Sequence, residues 1–174
     1  DVVISGGTID IGKSYEGIEG ATVTISGGTI RLTASDDGIN AAGGNDGSSL
    51  GGRPGQNGFQ AEGDNTGYFI KITGGDLTVN ASGDGLDSNG SLTISGGLVL
   101  VSGPTNSGNG ALDYDGSCTV TGGVLIAAGS AGMAQAPGSS STQAVLMITY
   151  PSTQPAGTLI GLTDAKGGLT AAFS

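Results

Sequence analysis

Apolar residues fall at alternate positions on both sides of a Gly-Gly pair, and the chain carries that arrangement five times. It runs Val2, Ile4, Gly6-Gly7, Ile9, Ile11, and then Val23, Ile25, Gly27-Gly28, Ile30, Leu32. The others centre on Gly74-Gly75, Gly96-Gly97 and Gly122-Gly123. Alternation with a period of two predicts strands with one buried face, and paired glycines predict a corner between two such strands. Gly6 to Gly27 is 21 residues, Gly74 to Gly96 is 22, Gly96 to Gly122 is 26, and Gly27 to Gly74 is 47, about two periods. Units of this kind cannot bury an apolar face alone and must stack on copies of themselves. The expected fold is all-β, a parallel β-helix: a solenoid of about 21–22 residues per coil, as the glycine spacing gives.

Alignment on the glycines sorts the side chains. Before the corner, Val2, Val23, Ile70, Leu92 and Cys118 form one inward column, and Ile4, Ile25, Ile72, Ile94 and Val120 another. After it, Ile9, Ile30, Leu77, Val99 and Leu125 form a third, and Ile11, Leu32, Val79, Val101 and Ala127 a fourth. Ile18, Ile39, Leu86, Leu112 and Met133, between the repeats, are expected to form a fifth. Outward positions are polar early (Thr8, Asp10, Thr29, Arg31, Asp76, Thr78) and apolar late (Leu98, Leu100, Val124, Ile126). That apolar outer face needs a cover. Residues 143–150, 158–162 and 169–173 read as strands, split by Pro151, Pro155 and Lys166-Gly167-Gly168, that could supply it; an intersubunit contact is the alternative. The expected organisation is a coil over 1–137 with a loop insertion at 43–66, then a C-terminal β cap or the start of an appended β domain over 138–174. Since it opens inside a strand, the chain is expected to be a piece of a longer one.

Glycine supplies 37 of 174 residues, which suits repeated corners and opposes helices. No stretch reaches the roughly 18 apolar residues of a membrane span. The net charge of −10, with only Lys13, Arg31, Arg53, Lys71 and Lys166 positive, argues against nucleic acid as a partner. The absence of histidine removes His-dependent catalysis and His-ligated zinc. Cys118 is the only cysteine and falls on an inward column, so it is expected to be a buried thiol.

The acids are not scattered. Glu19, Asn40, Asp87 and Asp113 align in one row and Glu16, Asp37 and Asp84 in a second, with Asp36 and Asp115 beside them. Eight of the 15 acids therefore lie on or next to one stripe. Carboxylates facing each other on adjacent strands repel, and neighbouring coils would hold them about 4.8 Å apart. Calcium binds oxygen at about 2.3–2.6 Å, so a cation between coils would reverse the sign. Asn40 and Asn89 would add neutral oxygens. Protonation of the carboxyls, or an acidic surface serving solubility alone, would also account for the stripe. The spacing is not that of an EF-hand loop.

The runs Ser35-Asp36-Asp37-Gly38-Ile39-Asn40, Gly83-Asp84-Gly85-Leu86-Asp87-Ser88-Asn89-Gly90 and Gly110-Ala111-Leu112-Asp113-Tyr114-Asp115-Gly116, with Gly51-Gly52-Arg53-Pro54-Gly55, are similar to those of a carbohydrate-binding β-helix family. That family is typified by a clostridial surface protein that binds pectin and cellulose. The resemblance covers most of residues 1–137. It implies a right-handed coil shaped like a pectate lyase, calcium on the stripe, and binding of acidic polysaccharide such as polygalacturonate outside the cell or at its surface. On that expectation Asp37, Asp84, Asp87 and Asp113 hold the metal. Arg53 pairs with a sugar carboxylate or structures its loop, and Tyr114 stacks on a ring or simply packs. A calcium-dependent lyase would need a base beside the metal, for which Arg53 is the one candidate, and paired carboxylates leave a hydrolase open. End-to-end assembly through open strand ends is the structural alternative.

Overall fold

The computed structural model describes residues 1–42 and 67–173. The insertion at 43–66, and with it Arg53, lies outside the described residues. The described elements are all β. Five long strands, β1 (Val2–Ser14), β3 (Thr22–Ala34), β5 (Phe69–Ala81), β7 (Ser91–Ser102) and β9 (Cys118–Ala128), form one parallel sheet in that order. Four short ones, β2 (Ile18–Glu19), β4 (Ile39–Ala41), β6 (Leu86–Ser88) and β8 (Leu112–Tyr114), form a second parallel sheet, also in chain order. The chain thus alternates between the two sheets and advances one strand in each at every repeat. None of the described residues forms a helix long and apolar enough to cross a membrane.

Each Gly-Gly pair was expected to separate two strands, yet each lies inside one bent strand. The second glycine takes a left-handed φ, from 79° at Gly123 to 101° at Gly28, which bends the strand without ending its ladder. On either side the pairing is the one the alignment requires: Val2 with Val23, Val23 with Ile70, Ile70 with Leu92, Leu92 with Cys118, and likewise through the other columns. Ile18, Ile39, Leu86 and Leu112 stack in the small sheet. These columns make one core in which the central residues are sealed, while Val2, Ile4, Ile9, Ile11 and Leu125 in the terminal repeats are half-buried. End units of a stack have one neighbour instead of two.

Met133 does not extend the fifth column; it is exposed. Gln135 bonds Asp113 at an offset of 22, which puts Ala134 level with Leu112. Residues 143–150 are not a strand either. The C-terminal strands are β10 (Ile160–Thr163) and β11 (Leu169–Phe173), paired antiparallel. Leu98 and Val124 on the outer face keep 37% and 48% of their surface exposed, so the expected cover does not reach them.

Cys118 is buried in the column foreseen for it, and burial pushes its thiol up to about 11. Thiol reagents should therefore label it only at the rate of unfolding, and rapid stoichiometric labelling of the native protein would contradict its placement.

Candidate functional site

The small sheet carries the acidic stripe on the segments that enter and form it. The first three begin with an acid, a glycine and an inward aliphatic, as in Asp37-Gly38-Ile39 and Asp84-Gly85-Leu86, and the fourth with Gly110-Ala111-Leu112. The backbone N–H of Gly17 donates to the Asp37 carbonyl and that of Gly38 to the Asp84 carbonyl, which brings Glu16, Asp37 and Asp84 into one row. Glu19 pairs with Asn40, Asn40 with Asp87 and Asp87 with Asp113, which makes the other. Both rows are as the sequence orders them.

The side chains are not equivalent within a row. Asp37 is 8% exposed and Asn40 fully buried, while Glu19 and Asp115 stand in solvent. Asp37 Oδ1 accepts the Asp84 N–H at 2.6 Å, and Asp84 Oδ1 accepts the Gly110 N–H at 2.5 Å. Each aspartate thus caps a backbone donor of the next repeat. Burial pushes Asp37 up to about 8 against that hydrogen bond, and the neighbouring charges of Asp87, Glu16 and Asp84 add to the rise. Asp84 goes up to about 6, again through burial first, with Asp113 and Asp36 as its repelling neighbours. Asp113 is raised by burial and by Asp115, and Gln135 moderates this by donating Nε2–H to its Oδ1 at 3.0 Å. Carboxyls of the two rows thus raise one another's pKa, and burial favours their protonated forms.

Gly83 is buried and closely packed beside these carboxyls. A Cβ there would clash with Asp37 Oδ1 and lie 2.7 Å from Asp36 Oδ1 and 2.8 Å from the Asp36 backbone carbonyl carbon, so the absence of a side chain lets the chain pack directly against these two carboxyls. All-oxygen donors suit a hard cation. Among the described residues, however, no three acidic or cysteine side chains converge on one point. Asp37, Asp84, Asp87 and Asp113 of the two rows would therefore serve calcium only as partial ligands. The remaining oxygens that calcium requires would come from outside the stripe.

Tyr114 packs its ring against the core and donates its hydroxyl to the Ala136 carbonyl at 2.7 Å, which ties the following segment down. Asn89 sits in the turn after β6, where its N–H donates to the Ala41 carbonyl. Arg31 lies opposite Asp10 on the large sheet, away from the stripe.

Two features were missed in the sequence. Gln135 follows Asp113 by 22 residues, a spacing that the alignment of Met133 with Leu112 hides by one residue. An open cleft of about 320 Å³ is lined by Phe69, Ile70, Lys71, Ser91 and Thr93. It brings together an aromatic ring, an ammonium group and two hydroxyls, because Phe69 pairs with Ser91 and Lys71 with Thr93. The pairing of β5 with β7 could have revealed it, since these are outward residues at equivalent positions.

A family model described as carbohydrate-binding domain-containing protein matches residues 1–149, and the chain belongs to that family. Neither a curated protein nor a solved structure matches the chain.

Proposed function

We propose that this carbohydrate-binding family member binds acidic polysaccharide of the polygalacturonate type, without transforming it, through calcium held between the stripe and the glycan carboxylates. The observation that carries the reading is the pair of adjacent acidic rows, in which Asp37 and Asp84 are buried or half-buried among other carboxyls, while no three acidic side chains among the described residues converge on a cation by themselves. A uronate carboxylate would supply oxygens the stripe lacks. It would also resolve the repulsion that a chain of net charge −10 otherwise imposes on a polyanion. The Phe69 and Lys71 cleft offers the same glycan an apolar ring face and one positive charge. Catalysis is not part of the proposal, because no basic residue among the described ones stands on the stripe to abstract a proton.

The two stacked sheets support a parallel β-helix, and right-handed winding follows the general preference of parallel crossovers. A polymer of plant cell walls is met outside the cell, so the site of action is the bacterial surface or beyond. Isothermal titration with polygalacturonate tests the reading. Binding is expected with calcium and is expected to vanish on chelation, while circular dichroism reports an unchanged fold; heat of binding that survives chelation would eliminate the bridging cation. Unsaturated uronate accumulating during the titration would instead establish a lyase.

A further inference from the structure

The repeat does not stop where its strands stop. After β8 and β9 the chain passes back along the same edge at the same spacing. Gln135 bonds Asp113 and the Ala136 carbonyl receives the Tyr114 hydroxyl, both at an offset of 22. Ser140 bonds Thr119 and Ser141 Oγ accepts the Val120 N–H, both at 21. The Thr142 N–H donates to the Val120 carbonyl at 3.1 Å, and Gln143 Nε2–H to that of Gly123. Residues 135–143 are therefore laid down as the first part of a sixth circuit on top of β8 and the start of β9.

Beyond that point the circuit is left open on both sides. Leu125 and Ala127 of β9 continue columns in which Val99 and Val101 are sealed, yet Leu125 is half-buried and Ala127 exposed. The segment that follows Gln143 is apolar and unburied, with Val145 at 44%, Leu146 at 64%, Met147 at 52% and Ile148 at 52% exposure. Carrying the offset of 21 forward places Val145 on Val124, Leu146 on Leu125, Met147 on Ile126 and Ile148 on Ala127. Leu146 and Ile148 fall on the two inward columns. Val145 and Met147 fall on the apolar outer rows that Leu98 and Leu100 begin. Pro151, which has no N–H to give a ladder, follows directly after Tyr150.

We propose that residues 144–150 are a strap that closes onto the second half of β9 in the same chain, as a parallel sixth strand that completes the circuit and covers the open edge. The occupant is the chain's own segment, because residues 138–143 already hold it in register at its start. This tether gives it an effective concentration that a second copy at micromolar levels does not match. An open apolar strand edge is otherwise a template for other chains, so the strap's position governs whether the molecule self-associates.

Hydrogen exchange of the whole chain, with gel filtration at the same concentration, tests this. Residues 145–149 are expected to exchange at least about tenfold more slowly than free peptide, in a monomer. The double variant Leu146→Asp, Ile148→Asp is expected to return them, and the outer edge of 124–128, to fast exchange while β3, β5 and β7 stay protected. Exchange at the free-peptide rate in the unaltered protein would overturn the proposal, as would a double variant with unaltered protection. Protection that appears only in a dimer would also overturn it, in favour of strand exchange between copies.

Discussion

Alanine in place of Gly38 or Gly85 is expected to cost about 3 kcal/mol or more of stability, the upper range for forcing atoms into a packed interior. A Cβ on Gly38 would run into Val79 Cγ1 and the Gly85 carbonyl oxygen, and one on Gly85 into Val101 Cγ1 and the Ala111 oxygen. Neither glycine has a left-handed φ. Their requirement is space: the small sheet lies against the inward residues of β5 and β7, and the next repeat follows directly above. One obstacle in each case is backbone, which cannot swing aside as a flexible side chain can. Ala111 occupies the corresponding place in the next repeat, nearer the end of the stack, where it is only partly buried. Urea denaturation of Gly38→Ala beside Gly12→Ala, whose added methyl meets nothing within 4 Å, isolates the effect. Equal midpoints for the two variants would show that the sheets do not approach as closely as described.

The second large effect is a stability that falls as pH rises, in the absence of calcium. Asp37 and Asp84 titrate near about 8 and about 6 in the folded chain against a reference of 3.8. An acid whose folded value is raised binds its proton more tightly folded than unfolded, so its contribution is full below about pH 4. It is then lost as pH climbs through the folded values. Most of the Asp84 contribution should be gone by about pH 6 and that of Asp37 by about pH 8. Thermal melts in chelator should show the midpoint dropping by several degrees across this window. Calcium should restore it at the alkaline end, because a bound cation favours the charged form that burial opposes. Asp37→Asn retains an oxygen for the Asp84 N–H and removes the charge. It should flatten the profile, raise the alkaline midpoint in chelator and blunt the calcium response. A wild-type midpoint that rises with pH in chelator would refute the burial argument, and one unmoved by calcium would turn the stripe from a cation site into a set of shared protons.

These expectations trace back unevenly to the sequence. The columns of Ile25, Ile72 and Ile94, or of Ile39, Leu86 and Leu112, were readable because a repeat places like residues one period apart and parallel pairing preserves that offset. The membership of Asp37, Asp84, Asp87 and Asp113 in one stripe followed for the same reason. The Gly-Gly corners were legible as bends, but the continuity of each bent strand depends on a φ that only the second glycine adopts. Family membership bears out the carbohydrate-binding resemblance at the level of carbohydrate.

Within the repeats from β1 to β9, period and parity alone determined which residues line the inward columns, which acids share a row and where the polar outer face turns apolar, since each is a property of one repeat copied along the chain; Met133, beyond them, did not follow. Tertiary structure decided everything that depends on what lies above and beside a given copy. Asp37 and Glu19 are both acids of the stripe, yet one is sealed and hydrogen-bonded to the next repeat while the other faces water, because one lies mid-stack and the other near its end. The close packing of Gly83 on Asp36 and Asp37 and the cleft at Phe69 and Lys71 arise from residues of different repeats brought side by side. At the far end, residues 138–143 kept the register after losing the strand pattern, because hydrogen bonds to an exposed edge fix position without requiring the apolar alternation by which the other repeats were recognised.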